Sequence, residues 1–242
     1  MRIINPSFEF ADEINAEQML DKIEKAYRIC YMSEPNGNRN AFIVNKIKIG
    51  HESPLEHASV SVIITTNRGV THELVRHRIA SYSQSSTRYC NFSKDKFGNE
   101  ITFIRPAWVD ERVLGEYHYG YVKTELTKTF PKEISELMRA DVALPDIEWV
   151  DSCNLVEDEY LRMINRHGWT PERARDILNN SVATTIMVTM NLREWRHFFK
   201  LRAIGTTGKP HPDMLQITIP MLTAFKEKIP VVFDDLNTEE ER

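Results

Sequence analysis

Two stretches of β-branched residues constrain the fold most: Ala58–Thr66 (ASVSVIITT) and Ser181–Thr189 (SVATTIMVT). Such side chains pack well on a pleated surface and crowd a helix, so both stretches read as strands. Shorter strands are expected at Met1–Ile4 and Ile101–Arg105, the second stopped by Pro106. Elsewhere the apolar period is helical. Ala16–Tyr31 carries Met19, Ile23, Ala26, Tyr27 and Cys30 on one stripe, and Asn38–Ile49 carries Phe42, Ile43 and Ile47 before Gly50 stops it. Thr71 should cap a short helix running to about Arg76, and Thr170-Pro171 should open another. Asn191–Arg202 packs through Leu192, Trp195, Phe198 and Phe199. Asp213–Lys226 reads as the last helix, packing through Met214, Ile217, Met221 and Phe225, with a kink at Pro220. Trp108–Trp169 is expected to be mostly helical, broken at Pro131 and Pro145, and the small polar run Ser81–Ser86 to be a loop. Helices and strands alternate without a βαβ rhythm, which predicts an α+β fold. One domain over 1–236 with a frayed acidic tail at 237–242 is expected.

Charge separates the possible partners. The net charge of the 242 residues is −4, which argues against a surface built to grip nucleic acid. Yet Arg68–Arg88, Arg162–Arg175 and Arg193–Arg202 each carry +3, leaving −13 for the rest. Local cations in an acidic chain suit a compact anion better than a polyanion. Only nine glycines are present, and none forms a G-x-G-x-x-G or G-x-x-x-x-G-K-[ST] cradle. Any phosphate must therefore be held by arginine forks. No apolar run is long enough to span a bilayer, and Cys30, Cys90 and Cys153 are an odd, scattered set suited to free thiols. A cytoplasmic protein with no membrane partner is expected.

Metal and nucleophile readings are weak. His72 and His77 are five residues apart, which on a helix puts their rings roughly 140° apart. His51 and His57 flank Pro54, and no Cys-x-x-Cys exists, so no metal site is expected. Cys90 and Ser86 lie near arginines but in no recognisable nucleophile elbow. Cys90 is expected to be a buried structural thiol. The cationic loop itself remains. Arg76-His77-Arg78 follows a helix end, and Arg88 comes ten residues later, after a run of serines whose hydroxyls and amides can also bind an anion.

The string Arg76-His-Arg-Ile-Ala-Ser-Tyr-Ser-Gln-Ser-Ser-Thr-Arg-Tyr89 resembles the signature of the flavin-dependent thymidylate synthases: RHR, seven residues, then Ser-x-Arg. Gly50-His-Glu-Ser-Pro-Leu-Glu-His57 resembles that family's G-H-x-[ST]-P-[FL]-E-H segment. Asn191-Leu-Arg-Glu-Trp-Arg-His-Phe-Phe-Lys-Leu-Arg202 resembles its N-x-R helix ending in L-R. The resemblance implies an antiparallel or mixed sheet flanked by helices, in a homotetramer with active sites shared between subunits. It also implies conversion of dUMP to dTMP, with methylenetetrahydrofolate as carbon donor and NADPH as reductant through bound FAD. By that resemblance Ser53, Arg76, His77, Arg78, Gln84, Asn191, Arg193 and His197 hold the flavin. Glu73, Arg76, Gln84, Ser86, Thr87, Arg88, Arg175 and Arg202 hold the nucleotide, and Arg202 is the catalytic residue that activates the uracil.

Departures from the pattern keep two other readings open. Arg175-Asp-Ile-Leu-Asn179 lacks the proline that usually follows the leucine. After Arg202, Gly205-Thr-Thr-Gly-Lys-Pro-His-Pro212 intervenes where the family usually reads A-x-x-E-I-R. These differences allow a different pyrimidine acceptor such as UMP, or a nucleotide-binding homologue without catalysis.

Overall fold

The computed structural model of the chain describes residues 1–118 and 132–238. In order, its elements are β1 (Arg2–Ile4), β2 (Ser7–Phe10), α1 (Ala16–Tyr31), α2 (Arg39–Lys48), β3 (Ser59–Asn67), α3 (Arg68–Leu74), β4 (Ala80–Gln84) and β5 (Thr102–Ile104). There follow β6 (Gly115–Glu116), α4 (Lys132–Arg139), α5 (Leu144–Asn165), α6 (Pro171–Ala174), β7 (Ala183–Asn191), α7 (Leu192–Phe199), α8 (Pro212–Lys228) and α9 (Pro230–Phe233). A three-stranded sheet has the order β5-β1-β6, with β5 parallel and β6 antiparallel to β1. A four-stranded sheet has the order β2-β3-β7-β4. The α+β class is as expected.

The chain divides into two compact units. The first comprises Met1–Pro6, Thr65–His72 and Gln84–Thr185. Its core gathers Ile3, Phe103, Val113, Val150, Cys153 and Tyr160, all essentially inaccessible to water. Glu157 is buried there and accepts from the amide of Ile101 at 2.5 Å. The second comprises Ser7–Ile64, Glu73–Ser83 and Ile186–Arg242. Its core is aromatic: Trp195, Phe198, Phe199, Phe225 and Phe233 meet at centroid distances of 5.1–6.0 Å, mostly edge to face, with Phe10 from β2 tilted against Phe225. Each such pair adds about 1 kcal/mol to what burial alone contributes. Burial alternates along β3 and β7, so each presents one apolar face, and paired hydroxyls (Ser61 with Thr189 at 2.8 Å) lie along the other.

Several elements depart from the sequence reading. Ser81–Ser86 is not a loop: Ala80–Gln84 is an edge strand, because Ser85 donates to the Thr185 carbonyl and serves as the start of a ladder that polar residues tolerate at a sheet edge. Helix α3 begins at Arg68 and ends at Leu74, so Thr71 lies inside it, its hydroxyl bonded back to the Arg68 carbonyl. Thr170 flanks α6 without a side-chain cap bond. Trp108–His118 is a 3-10 turn and the short β6 rather than helix, and Pro145 opens α5 instead of breaking one, a position where its missing N–H costs nothing. Pro131 lies outside the described residues. Cys30 is exposed, since the buried stripe of α1 is Leu20, Ile23 and Tyr27. Cys90 is half-buried. Helix α9 follows the expected last helix. In the tail, Thr238 is buried, and 239–242 lie outside the described residues.

Candidate active site

In the second unit the R-H-R turn is built by its neighbours. Helix α3 ends at Leu74, and the Tyr82 hydroxyl reaches back from β4 to the carbonyls of Leu74 and His77, each at 2.7 Å. Burial pushes the Tyr82 phenol up to about 12, so it serves as a fixed donor. This clasp sets the turn so that His77 points inward, while Arg76 and Arg78 are exposed and, among the described residues, have no carboxylate partner.

His77 joins Arg202, Glu73, Glu194 and His197. Arg202 donates from Nε to His77 Nε2 at 3.2 Å and from Nη1 to Glu73 Oε2 at 2.9 Å. An arginine nitrogen only donates, so His77 Nε2 is the acceptor and Nδ1 carries the proton. That Nδ1 lies 3.4 Å from Glu194 Oε1. Burial, then the nearby Arg202 and then His197 hold the imidazole down to about 4, so it is neutral and the contact with Glu194 is not an ion pair. Burial also raises the Glu194 carboxyl above the usual range.

The backbone carrying Arg202 is unusual. Asn191 caps α7 by accepting from the Glu194 amide at 2.9 Å, and after Phe199 the helix widens into a π turn, Lys200–Ile204. The Arg202 carbonyl is released from regular pairing and accepts from the Thr218 hydroxyl at 2.7 Å. Gly205 ends the turn at φ +76°. Such turns are frequent at functional sites because they re-aim one side chain. A cavity of about 340 Å³ opens beside Arg202, walled by Glu73, Thr207, Lys209 and His211. The segment that departs from the family pattern thus forms this wall.

A second cavity in the same unit, of about 400 Å³, is lined by Glu52, Glu56, Ile79, Asn191, Arg193 and His197, among others. Here Arg193 pairs with Glu56 at 2.5 Å and Lys200 with Glu52 at 3.4 Å. Ser53 is exposed on the 3-10 turn Ser53–His57 that carries Glu56. Below it Arg196, almost wholly buried, is clamped by Asp235 at 2.6 and 2.7 Å and by Glu52 at 3.2 Å.

The ligand-type atoms of His77, Glu194 and His197 lie within 4.8 Å of one another. Sequence spacing could not reveal this trio, since it spans 120 residues of chain. Both nitrogens of His77 are already engaged, and the Arg202 guanidinium beside it would repel a dication. The geometry favours a proton-holding network over a metal centre.

In the first unit the loop after β4 carries the other candidates. Gln84 donates to the hydroxyls of Thr71 and Thr184, both at 3.1 Å, leaving its carbonyl oxygen outward. The Ser86 hydroxyl accepts from the Arg88 amide at 3.2 Å, and Thr87 is buried. Arg88 pairs with Glu172 at 2.8 Å, with both side chains half exposed, a contact weak enough to yield to a phosphate. Arg175 is exposed, in the 3-10 turn Arg175–Ile177. Sequence reasoning missed Tyr82, Glu194 and Arg68. Only the charge of Arg68 gave any signal, and the other two become visible through partners distant in sequence.

An α+β chain whose candidate anion sites are made of arginine side chains, without a glycine-rich cradle, is a narrow class. The chain belongs to the family described as thymidylate synthase complementing protein, whose pattern matches residues 14–231. It is 31% identical over 224 residues to a flavin-dependent thymidylate synthase of Corynebacterium aurimucosum, covering 89% of this chain and 79% of the relative. It is 34% identical over 221 residues to that of Mycobacterium tuberculosis, covering 88% and 78%. In fold it is similar to the UMP/dUMP methylase PolB of Streptomyces cacaoi bound with 5-Br dUMP, with a TM-score of 0.67, 20% identity, and 97% and 96% of the two chains covered. Among the described residues no helix is long and apolar enough to cross a membrane.

The family is flavin-dependent, and the residues present fit an FAD. Its diphosphate needs cations that are not already neutralised, and Arg76 and Arg78 answer that description while Arg193 and Lys200 are paired. Asn191 keeps its side-chain amide hydrogens available after capping α7, and His197 is exposed at the cavity wall.

Proposed function

We propose that the chain methylates dUMP to dTMP, taking the carbon from methylenetetrahydrofolate and the reducing equivalents from NADPH through FAD. The observation that carries this reading is the setting of Arg202, which is fixed on a π turn, tied to Glu73 and His77, and open to a cavity. Uracil C5 becomes nucleophilic only as negative charge builds in the ring, and a preorganised guanidinium stabilises that charge. The neutral His77 orients Arg202 without competing for the developing anion. Arg76, Arg78, Asn191, Arg193 and His197, with Ser53 and, by the resemblance, Gln84, would hold FAD, which would supply the two-electron reduction that a methyl group requires. Ser86, Thr87, Arg88 and Arg175 hold the phosphate, and Glu73 accepts from the nucleotide. No cysteine is used: Cys153 is buried in the first unit's core, where burial pushes its thiol up to about 12. A cytoplasmic homotetramer with shared sites belongs to the same reading.

A second acceptor, UMP, is supported by the polar wall of Thr207, Lys209 and His211 beside Arg202, together with the acceptors of PolB. The test is anaerobic turnover with FAD, NADPH and methylene-labelled folate, offering dUMP, UMP and dCMP separately. The proposal expects label in dTMP. Label only in the methylated ribonucleotide would favour the second acceptor, and label in none would refute both.

A further inference from the structure

The first unit contains a cavity of about 500 Å³, within the size range of ligand pockets, and its chemistry is that of an anion site. It is lined by Arg68, Ser85, Ser86, Thr87 and Lys96, among others, and Glu100 is the one carboxylate among the described lining residues. Glu100 is itself directed at the terminal ammonium of Met1, 3.7 Å away.

Arg68 is the anomaly. Its Nη2 donates to the Ser85 carbonyl at 3.2 Å, but its Nε is buried with no hydrogen-bond partner, and among the described residues no carboxylate pairs with it. Arg68 as a whole is partly buried, and the two arginines that are fully buried among the described residues are compensated. Arg196 is held by Asp235 and Glu52, and Arg105 by Glu111 at 3.1 Å with Asn5 on its Nε at 2.8 Å. A desolvated guanidinium without a counter-charge is costly, and buried polar atoms are otherwise almost always paired. Burial lowers the Arg68 guanidinium below its ordinary value, with Cys90 acting against that shift and Arg175 adding to it.

We propose that Arg68 is the inner anchor of a phosphate site, closing on the 5′-phosphate of the nucleotide acceptor together with the Ser85–Thr87 segment. This rests on the nucleotide reading above and adds a residue that neither the sequence motif nor the resemblance assigned. The orphan Nε and an adjacent Nη form the planar fork that grips two phosphate oxygens.

The test is calorimetric titration of the full-length protein with dUMP and with deoxyuridine. In the wild type dUMP should bind far more tightly. Arg68→Gln, which keeps a donor for the Ser85 carbonyl, should weaken dUMP roughly 10- to 100-fold and leave deoxyuridine unchanged, the loss expected for charge-assisted hydrogen bonds. Arg68→Lys, which keeps the charge without the fork, should fall between the two and is read in the same way if the glutamine variant does not fold. A variant that binds dUMP within about twofold of wild type overturns the assignment, with the function reading left standing. A wild type that does not distinguish dUMP from deoxyuridine refutes the nucleotide reading instead. Inorganic phosphate then decides for Arg68: a Tm rise in the wild type that Arg68→Gln abolishes supports the anion site, and no rise overturns it.

Discussion

Replacing His77 by glutamine should flatten the acid side of the protein's stability profile. The ring is 5% exposed, accepts from Arg202 and faces Glu194. Burial first, then Arg202 and His197, bring its pKa down to about 4 from an ordinary 6.5. Between those values the unfolded chain binds a proton that the folded chain refuses, so stability rises with pH. The contribution is complete above pH 6.5 and is lost as pH falls toward 4, amounting to about 3 kcal/mol. Urea unfolding followed by tryptophan fluorescence at several values from pH 7 to pH 4 measures it. His77→Gln also loses ring packing against Phe198 at 5.0 Å, but that loss does not depend on pH. Burial raises the Glu194 carboxyl while His197 and Arg193 lower it, and His77 is not among those causes, so its contribution cancels in the difference between the two proteins. The stability gap should narrow by about 3 kcal/mol from pH 7 to pH 4. A gap constant to within ~0.5 kcal/mol would refute the neutral, Arg202-facing histidine.

Arg202→Ala should abolish methylation while the flavin stays bound, as absorbance and turnover on one sample would show. Arg88→Ala should raise the apparent KM for dUMP with little change in kcat, and an unchanged KM would mean that the phosphate lies elsewhere. Gly205→Ala places a methyl group 2.8 Å from Pro210 Cδ and 2.9 Å from the Gly208 carbonyl at φ +76°, and should cost about 1–3 kcal/mol and lower kcat through the Arg202 turn. Arg196→Met should cost about 3 kcal/mol in chemical unfolding, because it strips the Val232 carbonyl and Asp235 of their partner.

Where local pattern decides structure, the sequence was easily read. Helix α1 matches its expected bounds, and the stripe Met214, Ile217, Met221 and Phe225 is the buried face of α8. β3 and β7 announce themselves through β-branched residues. Strand β4 was missed because its serines carry no such signal, and its place is decided by β7, a hundred residues away. The same limit applies to the candidate site. The arginines of the R-H-R turn stand out as charge in a motif. The neutral state of His77, by contrast, depends on burial, Arg202 and His197, and the isolation of Arg68 on the lack of a carboxylate partner among the described residues. The π turn beneath Arg202 has no helical period to betray it.

The most direct measurement is the visible spectrum of the purified protein reconstituted with FAD, recorded without oxygen before and after dUMP and then NADPH. The account predicts flavin bands that shift when dUMP binds and bleach when NADPH follows. A protein that retains no flavin under any of these conditions would contradict it.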